Sequence, residues 1–283
     1  MITGAGGMTG AELLRQGRRK GWQCDGYTRS DLDIADAFAV QAAIESRRPD
    51  IVFNAAAFTA VDSAETERDD AMAANADGPR HIARAAKAAG VTLIHISTDY
   101  VFPGSASRPY LPSDPVGPVS VYGESKLGGE NAVREESDRH LIVRTSWVFS
   151  HEGRNFVRTM LRAGDEGREV RVVNDQQGSP TSAADLAGAL IIAAEALHQS
   201  AELAGIYHFS NSGITNWYEF AKAIFEIRGG KPPRISPIST AEYQTPARRP
   251  AWSALDTTSF ESAFGVTPRP WRDALADTMR KLT

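Results

Sequence analysis

The stretch "MITGAGGMTGAELL" (residues 1–14) decides the fold class of this chain. Its glycines at positions 4, 7 and 10 form a G-x-x-G-x-x-G run that leads into a helix-like segment. Glycines let the backbone turn tightly and approach a pyrophosphate, whose charge then meets the N-terminus of the next helix. The spacing differs from G-x-G-x-x-G, although Gly6 is also present. The alternative is an ordinary glycine-rich turn.

A buried strand normally stands before such a loop, yet only Met1, Ile2 and Thr3 precede Gly4. We therefore expect one of two situations. Either the reading frame starts late, or the chain tolerates a clipped central strand at some cost in stability.

The rest of the first half alternates between strand-like and helix-like segments. The strands are predicted at 23–27, 51–57, 92–98 and 140–149, and the helices at 11–20, 35–48, 69–90 and 121–136. Strands with near-continuous apolar residues that alternate with helices are typical of a parallel sheet covered on both faces. The predicted fold is α/β, a doubly wound parallel (Rossmann-type) sheet.

The second half is less regular and predicts a smaller, mixed α/β C-terminal substrate domain. Its predicted strands are 170–173 and 205–210, and its predicted helices are 183–197, 216–227 and 271–282. We assign residues 1–150 plus about 170–200 to a dinucleotide-binding domain. Residues from about 151–169 and 201–283 form the substrate-binding domain. A cleft between two such parts is a usual position for a ligand.

Composition excludes several classes of protein. The chain has 283 residues, 42% of them hydrophobic, and a net charge of −4, which gives no reason to expect nucleic acid. The single cysteine, Cys24, cannot form an internal disulfide, and the sequence has no CxxC or HExxH metal pattern. No signal sequence or membrane-length apolar run is present. The expected compartment is the cytoplasm.

The segment "YTRSDLDI" (27–34) follows the second predicted strand, where a dinucleotide fold meets the adenosine ribose. An acidic residue there suits a free 2′-hydroxyl, and an arginine suits a 2′-phosphate. Arg29 with Ser30 therefore favours NADPH, with NADH still possible. The alternative is an exposed loop arginine.

Two further stretches carry candidate chemistry. "STDYVF" (97–102) places hydroxyls and a carboxylate at the end of a buried strand, where they face the ligand crevice or cap a turn. "YGESK" (122–126) places Tyr122 and Lys126 on one face of a predicted helix. A nearby ammonium lowers the pKa of a tyrosine, so the pair predicts a proton donor with its tuning residue.

Taken together, these motifs resemble the dTDP-4-dehydrorhamnose reductase family of the extended short-chain dehydrogenase/reductases. The similarity covers essentially the whole chain. Its most specific parts are "STDYVF" (97–102), "RTSWVF" (144–149) and "RPAWSALD" (249–256).

The resemblance implies reduction of the 4-keto group of dTDP-4-dehydro-β-L-rhamnose by a nicotinamide cofactor. Tyr122 would be the general acid, Lys126 would lower the pKa of Tyr122 and bind the nicotinamide ribose, and Thr98 would hydrogen-bond the substrate oxygen. Cofactor contacts implied by the matching motifs are Gly4, Gly7, Met8, Arg29, Asp33, Ala55, Ala56, Tyr122 and Lys126. Substrate contacts implied in the same way are Val61, Thr98, Asp99, Tyr100, Tyr122 and Trp147, with Asn155 and Arg249 as weaker candidates.

One departure from the family pattern concerns a metal. Some members of the family bind Mg²⁺ between subunits through glutamates, and Glu12 matches one such position. In "PTSAADL" (180–186), Ala184 stands where a glutamate is expected, with Asp185 beside it. The bound Mg²⁺ and a metal-bridged dimer are therefore open, and a weak homodimer or a monomer both remain.

Two other functions stay open from the sequence. The chain could reduce another nucleotide-linked keto sugar, because loops assemble the pocket around the base and sugar. It could also be a non-catalytic binding subunit, since the regulatory β subunit of methionine adenosyltransferase resembles the same reductases. The intact set of Thr98, Tyr122 and Lys126 argues against a binding subunit.

Overall fold

A computed structural model describes residues 1–230 and 232–282 of the chain. In these residues the strands are β1 (Ile2–Thr3), β2 (Gly26–Tyr27), β3 (Ile51–Asn54), β4 (Thr92–Thr98), β5 (His140–Thr145), β6 (Val148–Phe149), β7 (Val170–Val173), β8 (Gln177–Gly178), β9 (Thr181–Ser182), β10 (Gly205–His208), β11 (Thr215–Asn216) and β12 (Ile235–Ile238). The helices are α1 (Met8–Arg19), α2 (Ala37–Arg47), α3 (Arg68–Met72), α4 (Gly78–Ala89), α5 (Val121–Glu136), α6 (Phe156–Asp165), α7 (Ala183–Gln199), α8 (Trp217–Arg228), α9 (Thr258–Phe264) and α10 (Trp271–Arg280).

The central sheet has six parallel strands in the order β2-β1-β3-β4-β5-β10. The strand order reverses at β1, which pairs with β2 on one side and with β3 on the other. In sheets of this kind the ligand crevice lies beyond the carboxyl ends of the strands at such a switch point. The predicted doubly wound fold is confirmed, and the glycine loop lies at the switch point.

The first strand is as short as the sequence suggests, yet it is hydrogen-bonded on both sides. The Met1 ammonium donates to the Ile51 carbonyl oxygen at 3.0 Å, and the Ile2 amide donates to the Asp25 carbonyl oxygen at 2.8 Å. Phe53 returns a bond to the Met1 carbonyl oxygen at 2.9 Å. Burial lowers the pKa of the Met1 ammonium.

Apolar side chains cover both faces of the sheet. One buried cluster includes Leu13 of α1, Ile94 of β4 and Leu190 of α7. The cluster on the other face includes Val40 of α2 and Ile82 of α4. Burying such faces on both sides of a parallel sheet removes nearly all of its apolar surface from water.

A third cluster belongs to the mixed C-terminal part, where α6, α8 and α10 pack around β7. Beside these helices, β7 and β12 form a small parallel pair. The division into domains stays a prediction. The sequence assigns residues 205–208 to the substrate-binding domain. In the structure they form β10, which pairs in parallel with β5 and extends the central sheet.

Several predicted boundaries move in the structure. The strand predicted at 140–149 splits into β5 and β6, and the helix predicted at 69–90 contains a π-helical turn, Ala73–Asp77, between α3 and α4. The Asn75 side chain in that turn bonds both backbone groups of Phe58 and the Ser125 hydroxyl. The turn therefore ties the loop after β3 to α5. No helix of the described residues is long and apolar enough to cross a membrane.

Candidate active site

Thr98 ends β4 and pairs in register with Thr145 of β5, at the carboxyl edge of the sheet. Its hydroxyl donates to Asp99 Oδ1 at 3.0 Å and accepts from the Tyr100 amide at 3.2 Å. The side chain therefore caps the turn that follows β4, while it remains at the crevice as the sequence predicts. The cap of the turn and the position at the crevice are therefore compatible, and the role of Thr98 toward a ligand stays a prediction.

Tyr122 reaches the same edge because α5 begins directly against the turn after β4. The Ser120 hydroxyl caps the helix by accepting from the Gly123 amide at 3.2 Å. A Cβ at Gly123 would lie 2.3 Å from the Tyr100 carbonyl oxygen, so a glycine is needed for this close approach. The rings of Tyr100 and Tyr122 then meet edge to face, with centroids 5.5 Å apart.

The ionisation of the Tyr122 and Lys126 pair follows mainly from burial. Burial raises the pKa of Tyr122 to about 12, opposed by a hydrogen bond with Thr98. Burial lowers the pKa of Lys126 to about 8, opposed by the charge of Glu130. The sequence predicts that Lys126 lowers the pKa of Tyr122, but in the structure burial of the phenol is the larger effect and the net shift of this pKa is upward. The reason is that Lys126 Nζ donates to the Ile96 carbonyl oxygen at 2.7 Å, while the phenol is buried.

Asp99 is a buried carboxyl group with one unsatisfied oxygen. Its Oδ1 accepts from Thr98, but Oδ2 has no hydrogen-bond partner. Burial raises the pKa of Asp99 to about 7, opposed by the hydroxyls of Ser253 and Thr98. An unsatisfied buried polar atom at a ligand crevice is the signature of a site that its ligand completes.

The glycine loop has the geometry that a pyrophosphate requires. Gly4 has φ +68°, and a Cβ there would lie 2.5 Å from the backbone of Ala55 and Ala56. A Cβ at Gly10 would lie 2.2 Å from the Gly4 carbonyl oxygen. Gly7 is exposed and precedes α1 without a side-chain cap, so the first amides of the helix face outward. These residues fit a dinucleotide.

Arg29 lies on the loop after β2, where the sequence places it. Its side chain is 79% exposed, and its Nε lies 3.8 Å from Asp33 Oδ2. The carboxylate of Asp33 also accepts from the Ala35 amide at 3.0 Å. The guanidinium is thus held only loosely and has free donors for an anion. Met8 is the first residue of α1. Its side chain lies close to Gly153, where an added Cβ would be 3.2 Å from Met8 Cγ.

The predicted substrate residues fall into two groups. Tyr100 lies on the turn that Thr98 caps, and Trp147 lies two residues after Thr145, the register partner of Thr98 on the adjacent strand. Asn155 caps α6 instead, accepting from the Arg158 amide and donating to the Ser150 carbonyl oxygen. Its polar atoms are therefore occupied within its own loop.

Arg249 anchors a loop. Its guanidinium makes two hydrogen bonds to the Asp62 carboxylate, at 3.0 and 2.8 Å, and a third to the Thr245 hydroxyl. Asp62 follows Val61, so this pair holds the C-terminal loop against the turn that carries Val61. The sequence analysis gives Arg249 as a weaker candidate for a substrate contact, and the geometry favours the role of a loop anchor.

A buried polar network behind α5 escaped the sequence reasoning. Glu130 accepts from the Ser97 hydroxyl at 2.5 Å and from Arg144 Nε and Nη2 at 2.9 and 2.7 Å. Arg144 also donates to the Pro112 carbonyl oxygen and contacts His208. The available signal was the position of Glu130, one helical turn after Lys126 on the same face.

Glu12, the residue that matches a metal position of the family, is partly engaged within its own chain. Glu12 Oε2 accepts from Arg15 at 2.7 Å, and the Ala184 carbonyl oxygen accepts from the Gln16 amide at 2.8 Å. Glu12 Oε1 is buried without a hydrogen-bond partner, and His151 Nδ1 lies 3.9 Å from it. No group of three acidic, histidine or cysteine side chains that could hold a metal occurs among residues 1–230 and 232–282.

The glycine loop at the switch point and the Thr98, Tyr122 and Lys126 side chains at the end of β4 define a class. The protein is an NAD(P)H-dependent oxidoreductase of the extended short-chain dehydrogenase/reductase type.

Comparison with known proteins places the chain more narrowly. The family described as "RmlD substrate binding domain" matches residues 1–283, and the chain belongs to this family. It is 44% identical over 284 residues to a dTDP-4-dehydrorhamnose reductase of Streptomyces griseus, covering 100% of this chain and 93% of that protein. It is 43% identical over 281 residues to the spore coat polysaccharide biosynthesis protein SpsK of Bacillus subtilis, covering 99% and 96%.

A solved structure agrees with this assignment. The dTDP-4-dehydrorhamnose reductase of Bacillus anthracis, crystallised in complex with NADP, has a TM-score of 0.93 and 38% identity. The match covers 99% of this chain and 98% of that one. The family resemblance and the fold predicted from the sequence are both confirmed.

Proposed function

We propose that this protein reduces the 4-keto group of dTDP-4-dehydro-β-L-rhamnose to dTDP-L-rhamnose, with NADPH as the preferred cofactor and NADH as a possible one. The observation that carries the proposal is the convergence of Thr98 and Tyr122 at the carboxyl end of β4, with Lys126 one helical turn behind. Full-length relatives named dTDP-4-dehydrorhamnose reductase support the same substrate.

Tyr122 acts as the general acid. The phenol is protonated at pH 7, so it can give a proton to the carbonyl oxygen of the sugar. Thr98 donates a hydrogen bond to the same oxygen, where negative charge develops. Lys126 is protonated at pH 7, and its charge stabilises the phenolate that remains after proton transfer.

The cofactor supplies the hydride when it is bound. Gly4, Gly7 and Met8 would hold its pyrophosphate against the start of α1, and Ala55 and Ala56 leave room for its adenosine. Arg29 would meet a 2′-phosphate, Asp33 flanks it, and Lys126 would bind the nicotinamide ribose.

The nucleotide sugar would contact Val61, Asp99, Tyr100 and Trp147. Asn155 and Arg249 support the walls of this pocket through the loops that they hold. We further propose a cytoplasmic enzyme that acts as a monomer or weak homodimer, since Ala184 stands where the family pattern has a glutamate for the bridging metal.

The test is NADPH oxidation with dTDP-4-dehydro-β-L-rhamnose, with UDP- and GDP-linked keto sugars measured beside it. Tyr122→Phe removes the acidic proton and keeps the ring, so we expect the rate to fall about 10²- to 10⁴-fold. Asn131→Ala, at an exposed position of the same helix, is the matched control for folding, followed by circular dichroism.

Preferential turnover of a UDP- or GDP-linked sugar would reassign the substrate. Absence of turnover with every sugar by the folded wild type would favour a binding subunit. Near-normal activity of Tyr122→Phe would remove Tyr122 from its role.

A further inference from the structure

Trp147 has an unusual backbone for a bulky side chain. Its φ is +47°, one of two positive values among the non-glycine residues that the structure describes. Positive φ is rare for large side chains and persists only where the surroundings impose it. The residue lies between β5 and β6, and its carbonyl oxygen accepts from the Thr181 amide at 3.2 Å. This backbone turns the indole out of the strand direction.

Two neighbours fix the indole in that orientation. The ring of Trp217 stacks on the ring of Trp147, with centroids 3.7 Å apart and an interplanar angle of 11°. On the edge of the indole lies Gly178, where a Cβ would sit 2.6 and 2.7 Å from Trp147 Cε2 and Cζ2. Any side chain at position 178 would therefore displace the indole.

Both neighbours are themselves rigidly held. Gly178 pairs with Thr215 in the β8–β11 ladder, and Gln177 also bonds the backbone of Ala251 and Ser253. Trp217 begins α8 and packs against Phe156, at 4.8 Å between ring centroids, and so joins the core of the C-terminal part. The plane of Trp147 is thus set by that core.

The same layer reaches the reaction centre. A Cβ at Gly178 would lie 2.8 Å from the Ser253 hydroxyl, and Ser253 is the residue that neighbours Asp99. Trp147 lies two residues after Thr145, the register partner of Thr98. Gly178 lies between the indole of Trp147 and Ser253, and Ser253 contacts Asp99.

We propose that Trp217 is a positioning residue that, with the bare backbone of Gly178, holds Trp147 as a fixed flat wall for the sugar ring. This inference rests on the proposed function. A wall that is already in place costs no ordering of the indole when the apolar face of a sugar packs against it. Trp217 acts only through Trp147 and takes no part in proton transfer.

The experiment uses the full chain and two readouts. Stacked indoles couple their electronic transitions and give a paired band in circular dichroism, which reports the stack without any substrate. Trp217→Leu should abolish the paired band and raise KM for the nucleotide sugar about two- to tenfold, the range of an aromatic pair. KM for NADPH and kcat should stay near the wild-type values.

Trp217→Phe separates positioning from bulk structure. It should also abolish the paired band, but it keeps a flat ring and should restore KM for the sugar toward the wild-type value. Trp22→Phe, which removes a tryptophan stacked on Phe53 and distant in the fold from the stack, is the control and should change neither readout.

The outcomes separate the two proposals. A wild type without turnover refutes the proposed function, while its paired band still reports the stack. Turnover with an unchanged sugar KM in folded Trp217→Leu overturns the positioning role, as does a wild type without the paired band. If Trp217→Leu fails to fold, Gly178→Ala decides: it should raise the same KM, and an unchanged KM overturns the inference.

Discussion

Two buried carboxyl groups flank the end of β4, and they are satisfied very differently. Glu130 on α5 is 1% exposed and accepts three hydrogen bonds, one from Ser97 and two from Arg144. Asp99 is 2% exposed, and its Oδ1 accepts from the Thr98 hydroxyl. Its other oxygen has no partner.

The difference separates a charge that joins two elements from a carboxyl group that keeps one acceptor atom unpaired within the protein. A buried charge that is fully paired holds elements together, and here the Glu130–Arg144 pair joins α5 to β5. A buried carboxyl group that is half satisfied costs stability and persists where a ligand completes it. The exposed fractions of the two residues are nearly equal, so burial by itself does not distinguish them.

Breaking the paired carboxylate should have the largest effect of the changes considered for this comparison. Glu130→Gln keeps the shape but leaves the Arg144 charge buried and uncompensated, so we expect the free energy of unfolding to fall by about 3–5 kcal/mol. Urea denaturation measures it. Glu135→Gln, on the exposed side of the same helix, is the control and should change the value by less than about 1 kcal/mol. A loss of similar size in both variants would show that Glu130 is not special.

The half-satisfied carboxyl group should respond to pH with the opposite sign to an ordinary aspartate. The pKa of Asp99 is about 7 in the folded protein, against about 3.9 in an unfolded chain, so the folded state binds the proton more tightly. Its contribution to stability is present below about pH 4 and is lost as pH rises through 7.

Asp99→Asn removes this titration. Between pH 4 and 8 the wild type should lose stability relative to the variant, by at most about 4 kcal/mol, because each pKa unit corresponds to about 1.4 kcal/mol. Chemical denaturation at several pH values measures the difference. Two parallel pH curves would mean that Asp99 is ionised normally in the folded protein.

The smallest effect should come from an exposed charge. Arg29 is paired only loosely with Asp33, so Arg29→Ala should leave the free energy of unfolding within about 0.5 kcal/mol. It should weaken NADPH binding up to about tenfold and leave NADH binding unchanged, because only NADPH carries the 2′-phosphate. Titration with both cofactors tests this, with Arg68→Ala as an exposed control. Equal weakening of the two cofactors would reduce Arg29 to a loop residue.

The sequence predicted the positions of the local motifs better than the contacts around them. Gly4, Thr98 and the Tyr122–Lys126 pair each belong to a short local motif, and all lie where the strand order places them. Gly178 and Trp217 belong to no local motif with Trp147, because three separate segments bring them together. The ionisation of Tyr122 was also missed, since burial depends on what the rest of the chain places over the ring.

The sequence by itself determined the fold class, the position of the glycine loop at the switch point and the residues at the end of β4. Local periodicity and strand order are enough for these features, because parallel strands bring their carboxyl ends to one edge. The shortness of the strand before the glycine loop was also visible in the sequence, and the structure gives that strand two residues.

Only the tertiary structure decided which charges are satisfied, which indole is clamped and which loop Arg249 anchors. These properties depend on burial and on contacts between residues far apart in the chain, such as Glu130 with Arg144 and Arg249 with Asp62. Hydrogen bonding and desolvation act over a few ångströms in space, and no spacing along the sequence records them.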